Sequence, residues 1–198
     1  MSADRGYHHG DLRAALIEAS FAQLAEGGGL PRFSVAAVAR RLGVSTAAPY
    51  RHFPDRTHLL GAVSGAAAHD LAAAIAAAAD AAGTDPADRL AAAAGAYVRY
   101  VARTGAGFHV IYAGELHALP DETRRDRTRA LMTTLLDLAA ATGCPSYQEA
   151  VQLVEATIAV AHGYTSLYAD GFFARKSISV DAIAARATTA ARALMTVD

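Results

Sequence analysis

The sequence predicts an all-α protein, and three observations carry that reading. About a quarter of its 198 residues are alanine, the residue with the highest intrinsic helix propensity. β-Branched runs bounded by turns are absent, so no substantial sheet is expected. Serine, aspartate, proline and glycine fall where helices start and stop, and they divide the chain into nine helices. At 20.5 kDa the chain is long enough to bury a real core; 19% charged and 53% apolar residues exclude a disordered polyelectrolyte and a membrane bundle.

The first helix runs from about Gly10 to Glu26, with Leu12, Leu16, Ala19, Phe21 and Leu24 at near-helical spacing, and Gly27-Gly28-Gly29 stops it. Ser34 caps a short helix through Arg41. Gly43 is free to take a positive φ in the turn Leu42-Gly43-Val44. Ser45 caps a second short helix ending near Phe53, and Pro54 closes it. Asp55 then opens a long helix from about Arg56 to Asp80, and the change of charge sign places a domain boundary near residue 60. Asp85-Pro86 with Asp88 starts a helix reaching Arg103, and Phe108 to Ala113 forms one bent helix between glycines. A helix from Asp121 to Thr142 stops at Gly143 and Pro145, and the capping box Ser146-Tyr147-Gln148-Glu149 opens another to Ala169. Ser179 caps the last, which ends near Met195.

Compartment and charge narrow the function. The first ten residues carry Asp4, Arg5, His8 and His9 and no apolar core, so no signal peptide is read there. Leu71 to Ala79 is shorter than the ~20 residues of a membrane span. A lone cysteine, Cys144, excludes an internal disulfide and fits a reducing cytoplasm. The net charge of −1 hides an uneven distribution: residues 1–60 net +2 and residues 61–198 net −3. Between Arg32 and His58 five arginines face one aspartate, the footprint of a phosphate-contacting module.

The most specific feature is Phe33 to Phe53, which has the pattern of a helix-turn-helix. Val35, Val38, Ala39 and Leu42 face inward, Gly43 permits the sharp turn, and Val44 plugs the angle between helices. Ser45 exposes the next helix N-terminus, whose N–H groups and dipole suit phosphate, and a narrow helix fits a major groove about 12 Å wide. Val44-Ser45, Tyr50, His52-Phe53-Pro54, Arg56 and Leu59-Leu60, at this spacing, resemble the DNA-binding signature of the TetR family of transcriptional regulators. The match covers about residues 7–60, and Tyr7-His8-His9-Gly10-Asp11-Leu12-Arg13 resembles the start of one branch of that family. Ala161-His162-Gly163 and Gly107 to Leu116 resemble the WHG-like C-terminal domain of the same branch.

The resemblance implies an N-terminal DNA-binding domain over 1–60 and a helical ligand-binding and dimerisation domain over 61–198. It puts Ser45, Thr46, Ala47 and Ala48 near base edges, and Tyr50, His52, Arg56 and Ser34 on the DNA backbone. Thr and Ala supply few bidentate base contacts, so Arg51 is the one long side chain able to reach a base edge, and sequence choice leans on DNA shape. His8, His9 and Asp11 belong to an arm near the backbone rather than to a metal site.

In the second half, the helix from Ser146 to Ala169 is apolar over more than the ~100° stripe a surface helix needs. Val151, Val154, Ile158 and Ala161 cover one arc, and Leu153, Val160, Tyr164 and Leu167 continue it. With Ile183, Ala187, Ala190 and Leu194 on the last helix, the pattern predicts a homodimer through the last two helices. Tyr97, Tyr100, Phe108, Tyr112, His117, His162, Tyr164 and Tyr168 are the candidate lining of an apolar pocket for a small organic effector. The run from Arg124 to Arg129 reads as a solvated face, with Asp121 pairing Arg125.

The expected function is therefore a homodimeric, ligand-released repressor of a palindromic operator in double-stranded DNA, cytoplasmic, with no cofactor, no metal and no membrane partner. One alternative is a DNA-binding protein whose C-terminal half only dimerises. A remoter one is an all-α metal-dependent enzyme using His52, His58, His109, His117 or His162, which no paired metal spacing or nucleophile motif supports.

Overall fold

A computed structural model describes residues 12–26, 29–174 and 177–195. Eight α-helices occupy them: α1 (Leu12–Ala25), α2 (Val35–Arg41), α3 (Arg56–Ala81), α4 (Pro86–Thr104), α5 (Phe108–Ile111), α6 (Glu122–Ala141), α7 (Tyr147–Ala169) and α8 (Val180–Ala193). No strand occurs among the described residues. The expected arm of His8, His9 and Asp11 lies outside them.

Six of the predicted helix starts form through a side-chain cap, five of them at the residue expected to cap and the sixth at Asp121, expected only as a helix start. The side chains of Ser34, Asp55, Asp85, Asp121, Ser146 and Ser179 each accept a backbone N–H from the first turn of their helix. Pro86 sits at the first position of α4, where its missing N–H costs nothing.

Ser45 is the exception. In place of the expected α-helix from Ser45 to Phe53, a 3-10 turn spans Ala48–Arg51, and no side chain caps it. Pro49 explains the difference: it has no N–H to give the Ser45 carbonyl, so Ala48 donates there instead, at 3.0 Å and one residue tighter. The ninth expected helix is this turn. The segment after Gly107 also divides, into the single turn α5 and a 3-10 turn over Gly114–Leu116.

α3 is the central element. Leu59, Leu60, Val63, Leu71 and Ile75 are all buried, each stabilising the core by about 1.5–3 kcal/mol. Its N-terminal part closes the core formed by α1, α2 and Phe53, and its remainder packs against α4 and α6. By length and mean hydropathy (26 residues, 1.5) this helix could span a bilayer, but over half of that window is buried inside the protein. α4 is sheathed by α3, α6, α7 and α8, and its pairing with α8 is the most extensive in the chain.

Close approach at glycine makes this arrangement possible. A Cβ on Gly61 would lie 2.4 Å from Leu119, and one on Gly95 would lie 2.5 Å from the Thr188 hydroxyl of α8. Gly105 ends α4 with φ 66°, and a Cβ there would sit 2.3 Å from the Leu24 backbone, so α4 meets α1 backbone to backbone. The small face of α8 is used within the chain: Ile183, Ala184, Ala187 and Ala191 are buried, whereas Leu194 is exposed.

Gly105→Ala is expected to lower stability by about 2–4 kcal/mol, combining a clash with a left-handed backbone. Gly114→Ala, with nothing within 4 Å of the added carbon, is expected to change it by less than about 1 kcal/mol. Thermal unfolding of both variants and the parent at one protein concentration measures the difference.

Candidate nucleic-acid interface and core cavity

The N-terminal head is held from inside by apolar side chains and offers polar ones outward. Val35, Val38 and Ala39 of α2 are buried, Gly43 takes φ 68°, and the Val44 N–H bonds back to the Ala39 carbonyl at 3.1 Å. Beyond that turn Ser45, Thr46, Ala47 and Arg51 are exposed, Ala48 and His52 are half-buried, and Pro49 is buried. Tyr50 is 53% exposed. Phe53 is core, with the Arg13 guanidinium 5.1 Å above its ring. Ser34 is half-buried, and its backbone is tied to the Gln23 side chain of α1, a link the sequence did not suggest.

The cations of this face divide into two groups. Arg32, Arg40 and Arg51 are exposed, and their guanidinium groups have no partner among the described residues. Arg41 is paired with Glu26. Arg56, expected to face outward, is turned in: its Nε donates to the Phe33 carbonyl at 3.2 Å, its Nη2 to the Leu30 carbonyl at 3.0 Å, and its Nη1 to the Glu115 carboxylate. The guanidinium also covers the Phe33 ring at 5.5 Å. Arg56 therefore joins the head to the 114–116 turn of the second half. Asp55 accepts from His58 through backbone and ring, which holds its carboxyl below the usual carboxylate range.

The eight aromatic and histidine residues expected around one pocket fall into separate groups. Tyr97 stacks on Phe108 at 5.1 Å, and Phe108 on Tyr112 at 5.8 Å. The Tyr97 hydroxyl accepts the Phe108 N–H at 3.2 Å and lies 3.0 Å from His162 Nδ1. Burial pushes the Tyr97 and Tyr112 hydroxyls up to about 12. Burial, and then the nearby His162, lower the pKa of His109. Tyr100, one turn further along α4, borders a separate groove with Ala74 and Ala78 and lies under the Arg103 guanidinium at 5.7 Å. Tyr164 stacks on Phe173, Tyr168 lines an open groove of about 610 Å³ between α1, α4 and α7, and His117 is exposed.

Only Tyr97 and Phe108 of the eight line the core cavity, together with Ile75, Leu135, Thr157 and Ile158. That cavity leaves about 10 Å³ for the centre of a water-sized sphere, room for about one water. Phe108, stacked on Tyr97, forms part of its wall. Sequence reasoning missed Thr157 and Ile158 because periodicity assigns them to core without saying which cavity they face. Among the described residues no three His, Cys, Asp or Glu side chains cluster to hold a metal.

Residues 16–63 match the bacterial regulatory proteins of the tetR family, and residues 90–191 match the tetracyclin repressor-like C-terminal domain. No curated protein matches the chain. Among solved structures, a protein of unknown function from Rhodococcus sp. RHA1 is similar at 27% identity and TM-score 0.72, over 96% of this chain and 98% of its own. A tetR-family transcriptional regulator from Streptomyces coelicolor shares 21% identity at TM-score 0.63, over 96% of this chain and 82% of its own. RolR in complex with resorcinol shares 22% identity at TM-score 0.52, over 94% of each chain. The last two likenesses concern the fold alone. The two family matches span most of the chain, including the helix-turn-helix and α4 to α8, and the protein belongs to the TetR family of DNA-binding transcriptional regulators.

Proposed function

We propose that the chain is a homodimeric repressor that binds a palindromic operator and leaves it when a small organic molecule enters the helical half. In this reading residues 1–60 are the reading head and residues 61–198 the regulatory body. The observation that carries it is the set of exposed arginines without partners among the described residues, Arg32, Arg40 and Arg51, flanking exposed Tyr50 on one small domain. Ser45, Thr46, Ala47 and Ala48 meet base edges, and Ser34, Tyr50 and His52 meet phosphates. Arg51 reaches furthest into the groove. Arg56 acts indirectly, by fixing the head against the body through Glu115.

Dimerisation rests on α7. Val151, Leu153, Val160 and Tyr164 are only half-buried and Leu167 is 40% exposed in the single chain, an apolar arc left for a second copy beside α8, while Ile158 of the expected arc turns to the core cavity. Two heads so joined match half-sites about 34–36 Å apart. Cytoplasmic placement follows from an operator in chromosomal DNA. A small aromatic molecule with a polar edge suits the Tyr97–Phe108–His162 cluster, and the resorcinol held by RolR is of that class. Such an effector releases DNA only if it prefers the dimer spacing that misfits the operator.

Selection of duplexes from a random pool at a stated salt concentration is expected to return a palindrome; recovery of no common sequence would overturn the operator reading. Arg40→Ala is expected to lower the slope of log affinity against log salt by about 1, the loss of one phosphate contact. Arg56→Ala is expected to weaken all duplexes alike with the slope unchanged, because its charge is occupied by Glu115; titrations of both variants over a salt series separate the two roles. Phe108→Ala is expected to cost about 2–4 kcal/mol of stability and to open the cavity, so that a small phenol raises the melting temperature of the variant more than that of the parent.

A further inference from the structure

A polar pocket lies where head meets body, away from both the core cavity and the proposed DNA face. Its walls are Arg13 and Ile17 of α1, Gly61 and Gly65 of α3, and Arg124 and Arg127 of α6, with Asp121 and Thr123 at the α6 start, and its volume is about 160 Å³. That is below the roughly 300–1,000 Å³ of a drug-sized site and suits a compact ion.

Arg124 is the informative residue. It was expected on a solvated helix face, yet it is 7% exposed. It lies flat on Gly65, where an added Cβ would meet the Arg124 Cα at 3.4 Å. Its Nη2 donates to the Leu116 carbonyl at 2.9 Å, its Nε has no partner, and it forms no ion pair among the described residues. A buried guanidinium answered only by one neutral carbonyl is an uncompensated charge, and such charges persist where a counter-ion arrives. The expected Asp121–Arg125 pair does not relieve the region either, since Arg125 pairs with Glu122 and Arg129 with Asp126. Asp121 is the one carboxylate among the described residues of the wall, and its Oδ1 accepts the Arg124 backbone N–H at 2.9 Å. Arg13 and Arg127 are exposed and have no carboxylate partner among the described residues. Three guanidinium groups against one carboxylate leave the pocket about two charges positive.

We propose that this pocket binds a phosphate-class oxyanion, free or as the phosphomonoester end of a small molecule. A tetrahedral group carrying about −1.5 to −2 charge at pH 7 matches that excess and offers three acceptor oxygens to donors arriving from two helices. A monocarboxylate supplies half the charge and only two oxygens. Bound there, the anion bridges α1 of the head to α6 of the body.

Calorimetric titration of the full chain with inorganic phosphate, phenyl phosphate and acetate, at ionic strength held constant with potassium chloride, tests this. Saturable binding of either phosphate is expected; the two phosphates compared separate a free-ion site from a phosphomonoester site. Arg13→Ala and Arg127→Ala, both at exposed positions, are each expected to weaken it about ten-fold, and melting curves of the variants report that the fold is kept. Equal phosphate affinity in the parent and both variants, no binding beyond the chloride control, or acetate binding more tightly than phosphate would each overturn the proposal. So would variants that lose duplex affinity while keeping phosphate affinity, since the arginines would then serve DNA.

Discussion

The structure depends on backbones that touch. α3 and α4 are surrounded by helices that approach closely only because glycine or alanine stands at each crossing: Gly61 under Leu119, Gly65 under Arg124, Gly95 under α8, Gly105 against α1. Glycine and alanine let these helices approach closely, while Leu59, Leu60, Leu71, Ile75 and Leu90 fill the core between them, which explains how a chain with so much alanine still builds one. The same constraint fuses the two halves mechanically. α3 contributes to both cores, and at Gly105 the end of α4 has no slack against α1, so a shift of the head is carried to α3 and α4.

Much of the fold was legible because it is written locally. A capping serine or aspartate acts within three residues, so Ser34, Asp55, Asp85, Asp121, Ser146 and Ser179 announced their helices correctly. Ser45 misled because a second local signal, Pro49, removes the bond that a cap would have started, and the weaker 3-10 geometry wins. The glycine crossings were not legible at all. Gly61 and Gly65 look like helix-weakening residues until the partner helix is known.

The candidate interface shows the same division. Exposure of Ser45, Thr46, Ala47, Tyr50 and Arg51 follows from the helix-turn-helix pattern, which is local. The inward turn of Arg56 depends on Glu115, a residue 59 positions away that no window connects to it. Arg124 belongs to the same class of error: a run of arginines reads as solvated, and only the missing Cβ of Gly65 lets one of them sink. The scattered tyrosines were read as one lining, but Tyr97 borders the core cavity while Tyr100, one turn on and about 60° round α4, borders a separate groove with Ala74, Ala78 and Arg103.

The plug formed by Phe108 on Tyr97 carries a consequence for dose response. Because the closed packing leaves space for about one water, any guest must wait for a rarer arrangement in which the ring has swung away. Its observed dissociation constant is then the intrinsic one divided by the fraction of time the gate stands open; a fraction of about one per cent raises it a hundred-fold. In the proposed ligand-released repressor, the effector concentration that frees DNA would thus depend on the stacking of two aromatic rings as well as on how well the guest is gripped once inside.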